Sequence, residues 1–132
     1  MSALPVHLRV EVVPRWVFRL PERSGRDGVL RCRGGVLERL LHVEGRRAVV
    51  RVAQTGPRSV LFGAWAHDRP DAERAIARMR FALGIDDDLR AFCEGHRWDP
   101  LIGPSVRRTP WLRVARRPVA FEALAWAVCE QL

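Results

Sequence analysis

A chain of 132 residues with 48% hydrophobic content can bury one core, and nothing in it approaches the roughly 20 apolar residues of a membrane-spanning helix. Its 23 basic residues, every one an arginine, outnumber 15 acidic ones for a net charge of +8, which favours a polyanionic partner, nucleic acid before membrane surface. Cys32, Cys93 and Cys129 are widely spaced, form no CxxC pair and disfavour a disulfide framework, and the start at Met1 has no apolar signal-peptide core, so the sequence predicts a soluble cytoplasmic protein.

The first element is a strand from Val6 to Val13, where Val6, Leu8, Val10 and Val12 alternate with His7, Arg9 and Glu11. Pro14 ends it. The aromatic-basic stretch from Arg15 to Pro21 lies between prolines and reads as an extended loop or edge strand. Strands follow at Val29 to Arg33 and Val36 to Val43 around a Gly34-Gly35 turn. A Glu44–Arg47 turn leads to a β-branched run from Ala48 to Ala53, and Ser59 to Ala66 supplies another strand. These make an antiparallel meander of four or five strands.

From Asp68 to Leu83 the period becomes helical. Ala72, Ala75, Ile76, Met79 and Leu83 share a face, Asp68 or Asp71 can cap the start, and Gly84 can stop it. One helix laid across an antiparallel sheet is an α+β layer. After residue 84 the pattern is helix and loop only. Asp86-Asp87-Asp88 reads as the N-terminal run of a short helix through Leu89, Phe92 and Cys93, and Asp99-Pro100 begins a helical turn that ends near Gly103-Pro104. Phe121, Leu124, Ala125, Val128 and Leu132 recur at helical spacing, so that face is expected to bury, with Pro118 in the first turn and Glu122 capping the N-terminus. No stop signal precedes Leu132, which implies a chain that continues in nature.

Leu112-Arg113, then Phe121-Glu122, then Gln131-Leu132, at ungapped spacing, resemble the start of the helix-hairpin-helix domain of DNA-3-methyladenine glycosylase II, the AlkA-type enzymes. The upstream order of strands, one helix and the acidic stretch at Asp86-Asp87-Asp88-Leu89 is similar to the N-terminal TBP-like domain of that family. The fold class implied is α+β: an antiparallel β-sheet packed by a helix, followed by an all-helical segment that begins a second domain. The boundary is expected at residue 84, giving 1–84 as the sheet domain and 85–132 as the beginning of the helical glycosylase domain. The activity implied is excision of alkylated bases from double-stranded DNA in base excision repair, by hydrolysis of the N-glycosidic bond.

The residues carry that reading unequally. Arg107 to Arg117 is basic with no acid, so Arg107, Arg108, Arg113, Arg116 and Arg117 are candidate phosphate contacts beside a helix start; the plain alternative is a solvated charged loop. The resemblance implies that Leu132 is a wedge pushed into the duplex, with Gln131 beside it at the minor groove; otherwise Leu132 is a core leucine. Trp16 and Phe18 could stack on an unpaired base, with core packing the alternative for these aromatics. The resemblance implies a pocket-lining aromatic here, for which Phe18 is the candidate and Leu20 the competing position. Cys93 and His96 have ligand spacing but no second pair, so no metal site is expected. No cofactor is expected either.

The family's phosphate-gripping hairpin and its catalytic aspartate lie downstream of the Gln-Leu motif, so no catalytic residue is assigned here and the chain alone is expected to be inert. A stand-alone basic α+β module that binds nucleic acid without chemistry is the alternative reading. A protein-interaction domain is the third.

Overall fold

The structure, a computed structural model, describes residues 4–25, 28–114 and 116–131. Five strands, β1 (Val6–Val12), β2 (Leu30–Arg33), β3 (Val36–Val43), β4 (Arg46–Gly56) and β5 (Ser59–Ala66), form one sheet in the order β1-β5-β4-β3-β2. Every neighbouring pair is antiparallel. The meander expected from the sequence is β2 to β5; β1 returns to close the far edge against β5, pairing Val6 with Ala66 and Val12 with Val60.

Local chemistry sets the turns. Gly34 and Gly35 (φ 57° and 76°) link β2 to β3, and Glu44 and Gly45 (φ 49° and 76°) link β3 to β4. Positive φ at both central residues gives the turn whose twist matches that of the flanking strands. Near the far end of β4 the ladder is irregular between Gln54 and Gly56. The Gln54 amide there accepts from the Leu20 N–H (2.9 Å) and donates to the Phe18 carbonyl (3.0 Å). That clip folds the extended segment after β1 inward, so Phe18 and Leu20 are buried.

Helix α1 (Arg69–Leu83) crosses one face of the sheet. Asp68 caps it by accepting from the Asp71 N–H (2.9 Å), Pro70 fits its first turn, and Gly84 (φ 61°) closes it. Ala72, Ala75, Ile76 and Met79 meet Val50, Val52, Phe62 and Ala64 in the core. Alternation along the strands leaves His7, Arg9, Arg51 and Trp65 on the opposite side, where His7 stacks on Trp65 at 4.3 Å.

Three helices follow: α2 (Arg90–His96), α3 (Gly103–Arg108) and α4 (Ala120–Cys129). Several expectations change here. Of the three acids expected to open α2, Asp88 meets its first turn by accepting from the Arg90 N–H (3.0 Å), while Asp86 pairs with Arg80 (2.5 Å) and Asp87 with Arg116 (2.7 Å). Asp99-Pro100 does open one helical turn, closed by the Gly103 N–H on the Asp99 carbonyl (2.9 Å), but helix α3 runs on from Gly103. Pro118 is buried ahead of α4 and does not lie in its first turn. The α4 face expected to be buried is open, with Phe121, Leu124 and Val128 at 76%, 63% and 56% exposure. Helical periodicity reports that a face is apolar, not that something covers it.

Candidate nucleic-acid interface

The five candidate arginines separate into three environments. Arg113 is an internal clamp. Its Nε donates to the Gly84 carbonyl (2.7 Å), and its terminal nitrogens donate to the carbonyls of Val17 (2.6 Å), Trp111 (3.0 Å) and Trp16 (3.3 Å). Burial pulls its pKa below the usual arginine value, against the opposing pull of Asp87. A guanidinium suits this place because its fork reaches several carbonyls at once. Those contacts tie the end of α1, the segment after β1 and the approach to α4 into one unit, and they occupy the donors that a phosphate would need.

Arg116 and Arg117 flank the start of α4. Arg116 pairs with Asp87 and lies over the Phe81 ring at 5.1 Å, while Arg117 lies over Trp126 at 4.9 Å. Both line a groove of about 580 Å³ between Phe81 and the α4 residues Ala123, Trp126 and Ala127. Val119, in the N-cap position of α4, offers no side-chain acceptor, so no side chain caps that helix. Glu122, expected to cap it, instead accepts from Arg39 of β3.

Arg107 and Arg108 occupy the last turn of α3. Arg107 donates to the Arg97 carbonyl and lies over Trp98 at 5.1 Å; the Arg108 side chain is exposed, with no hydrogen bond or ion pair among the described residues. Gln131 is exposed just past α4. Leu132 lies outside the described residues.

Phe18 is 5% exposed and belongs to the core, with the Arg113 guanidinium 5.2 Å from its ring. It also borders a cleft of about 630 Å³ lined by Leu37, Arg39, Met79, Trp111 and Arg116. Leu20, the competing position, lines the same cleft. Among the described residues no three His, Cys, Asp or Glu side chains gather to hold a metal, and His96 Nδ1 lies 3.0 Å from the Phe92 carbonyl. No described helix is long and apolar enough to cross a membrane.

No known family model matches the sequence, and no curated protein matches it. Among solved structures, 3-methyladenine DNA-glycosylase from Archaeoglobus fulgidus superposes with a TM-score of 0.61 at 15% identity. The chain shares the fold of part of that glycosylase. The match covers 86% of this chain and 39% of the other, so the chain spans about two fifths of its length. The likeness bears out the α+β arrangement of a five-stranded antiparallel sheet with helices. At this identity the likeness speaks for the fold.

Sequence reasoning missed two features. Trp98, the one exposed tryptophan of five, sits between α2 and α3 beside Arg97 and Arg107. The Arg39–Glu122 pair joins residues 83 positions apart. The Arg-Trp-Asp-Pro string could have flagged the first; no local signal could have found the second.

Proposed function

We propose that this chain is the N-terminal part of an AlkA-type DNA glycosylase that excises alkylated bases in base excision repair. In this reading residues 1–84 form the sheet domain and 85–132 begin the helical glycosylase domain. The chain contributes DNA binding and part of the lesion-pocket wall, while the catalytic aspartate belongs to a later part of the enzyme. The observation that carries the reading is the glycosylase fold over 86% of the chain, joined to a net charge of +8. The open apolar faces of α4 and of the α2–α3 region, where Phe92 is 50% and Leu112 68% exposed, are surfaces that a further helical layer would cover.

The mechanism follows from the chemistry of the substrate. A base stacked in a duplex must be turned out before its glycosidic bond can break, at a cost of a few kcal/mol per step. An apolar residue filling the gap holds the base out without demanding a hydrogen bond, the role proposed for Leu132, with Gln131 beside it. Arg117 and the uncapped start of α4 suit backbone phosphates by charge and by free N–H groups, with Arg116 held beside them by Asp87. Phe18 forms part of the pocket wall through the cleft it borders. Bond cleavage passes through an oxocarbenium-like transition state that a carboxylate stabilises. Asp86, Asp87 and Asp88 are engaged with Arg80, Arg116 and the Arg90 N–H, which argues against that role for them.

Binding of the chain to alkylated and unmodified duplex DNA tests this, read by anisotropy across a salt series with base release assayed in parallel. The proposal expects binding that weakens steeply with salt and no base release by this chain alone. Absence of salt-dependent DNA binding would sink it. Equal binding to both duplexes would instead favour the stand-alone nucleic-acid module.

A further inference from the structure

The turn between α2 and α3 holds out a large apolar ring that stays mostly open to solvent. Trp98 is 76% exposed and Leu101 88%. The turn carrying them is tightly built. Asp99 accepts from the N–H groups of Leu101 (2.8 Å) and Ile102 (3.0 Å), and the Gly103 N–H bonds to the Asp99 carbonyl (2.9 Å). The N–H groups of Ile102 and then Leu101 hold the Asp99 carboxyl below the usual aspartate range, turned into its own loop. On the other side Arg107 donates to the Arg97 carbonyl, and Gly103 packs so closely that a Cβ there would lie 2.8 Å from that same oxygen. The guanidinium groups of Arg97 and Arg107 each lie 5.1 Å from the Trp98 ring centroid, and Arg108, next to Arg107 in the chain, is exposed.

We propose that this turn is a nucleic-acid contact in which Trp98 stacks on an unpaired base while Arg97, Arg107 and Arg108 hold the flanking phosphates. An exposed indole costs solubility, and a fixed turn removes the entropy that would otherwise be lost on binding. The combination of a flat aromatic surface and guanidinium groups matches a base and its phosphates together. An acidic peptide would satisfy the arginines equally well, but its carboxylates give the indole nothing to stack on. Trp98, Arg97, Arg107 and Arg108 do not line the Phe18 cleft, and the contact rests on the nucleic-acid binding proposed above.

The test uses the whole chain with two probes, a fully paired duplex and the same duplex carrying a single-base bulge. Affinity is read by anisotropy and stacking by quenching of tryptophan emission. Wild type is expected to prefer the bulged duplex. Trp98→Ala should lose roughly tenfold on the bulge, little on the paired duplex, and most of the quenching. Trp98→Phe should keep most of the affinity, because a smaller aromatic face remains. If wild type binds DNA and Trp98→Ala binds the bulge equally well, the stacking contact is wrong while the proposed function stands. If wild type binds neither duplex, both fall. If Trp98→Ala weakens binding of a poly-glutamate peptide and leaves both duplexes unaffected, the turn is a protein-binding site and the inference is overturned.

Discussion

Arg39, in the middle of β3 and 6% exposed, donates to the carboxylate of Glu122 in the first turn of α4. The Arg39 Nε is also buried and has no partner among the described residues, so the carboxylate is the compensation this cation receives there. The pair fastens α4 to the sheet at a point where the helix's own apolar face is open.

Glu122→Ala should therefore destabilise the protein by about 1–3 kcal/mol, since it strands a buried cation. Arg39→Leu combined with Glu122→Leu should cost less than either single change, because a pair replaced by apolar groups leaves no charge unpaired. Urea titrations of the four species give the coupling. Amide exchange over 120–129 should quicken in Glu122→Ala before the sheet amides respond. Uniform quickening would mean that the pair does not hold the helix.

Arg113 is expected to behave as a structural residue. Arg113→Lys keeps the charge but cannot span the carbonyls of Gly84, Val17, Trp111 and Trp16. It should lose on the order of 2 kcal/mol of stability, read as a fall in Tm. DNA affinity of the folded fraction should stay near wild type. A large affinity loss with unchanged Tm would return Arg113 to the interface.

Gly84 closes α1 at φ 61°, and a Cβ built there would lie 2.7 Å from the Asp87 Oδ2. Gly84→Ala adds left-handed strain to a clash with the carboxylate that binds Arg116. A loss of about 1–2 kcal/mol follows from the backbone strain alone. An unchanged melting temperature would contradict this geometry.

The Asp68 cap sets an acid dependence. The Asp71 backbone N–H, followed by the charges of Arg46 and His67, holds the Asp68 carboxyl below the usual aspartate range. A group whose pKa is lower in the folded state contributes stability above its unfolded pKa, and that contribution is lost as pH falls through the folded value. Asp68→Asn keeps an acceptor for the cap but removes the titration. Its stability should vary less than wild type as pH drops from neutral into the acid range. Parallel pH curves would show that Asp68 does not contribute.

Arg107 and Arg108 should each carry about one unit of the salt slope if they meet phosphates. Log Kd against log salt for Arg108→Ala is the cleaner measurement, because Arg107 also holds the Arg97 carbonyl. A slope equal to wild type would place Arg108 off the DNA.

The sequence by itself determined the sheet and its helix. Alternation in β1, the paired glycines at 34 and 35 and the Asp68 and Gly84 caps of α1 each act on their immediate neighbours in the chain, and the turn and cap chemistry leaves few options. What only the tertiary structure decided is the partner of each long polar side chain. Asp86 and Asp87 are local acids by sequence, yet arginines at 80 and 116 claim them. Arg113 looks like Arg107 in a basic run, yet carbonyls from two distant segments surround it. Glu122 sits where a cap is expected and reaches β3 instead. A side chain that spans several ångströms chooses among whatever the fold brings near, and sequence spacing does not record that neighbourhood.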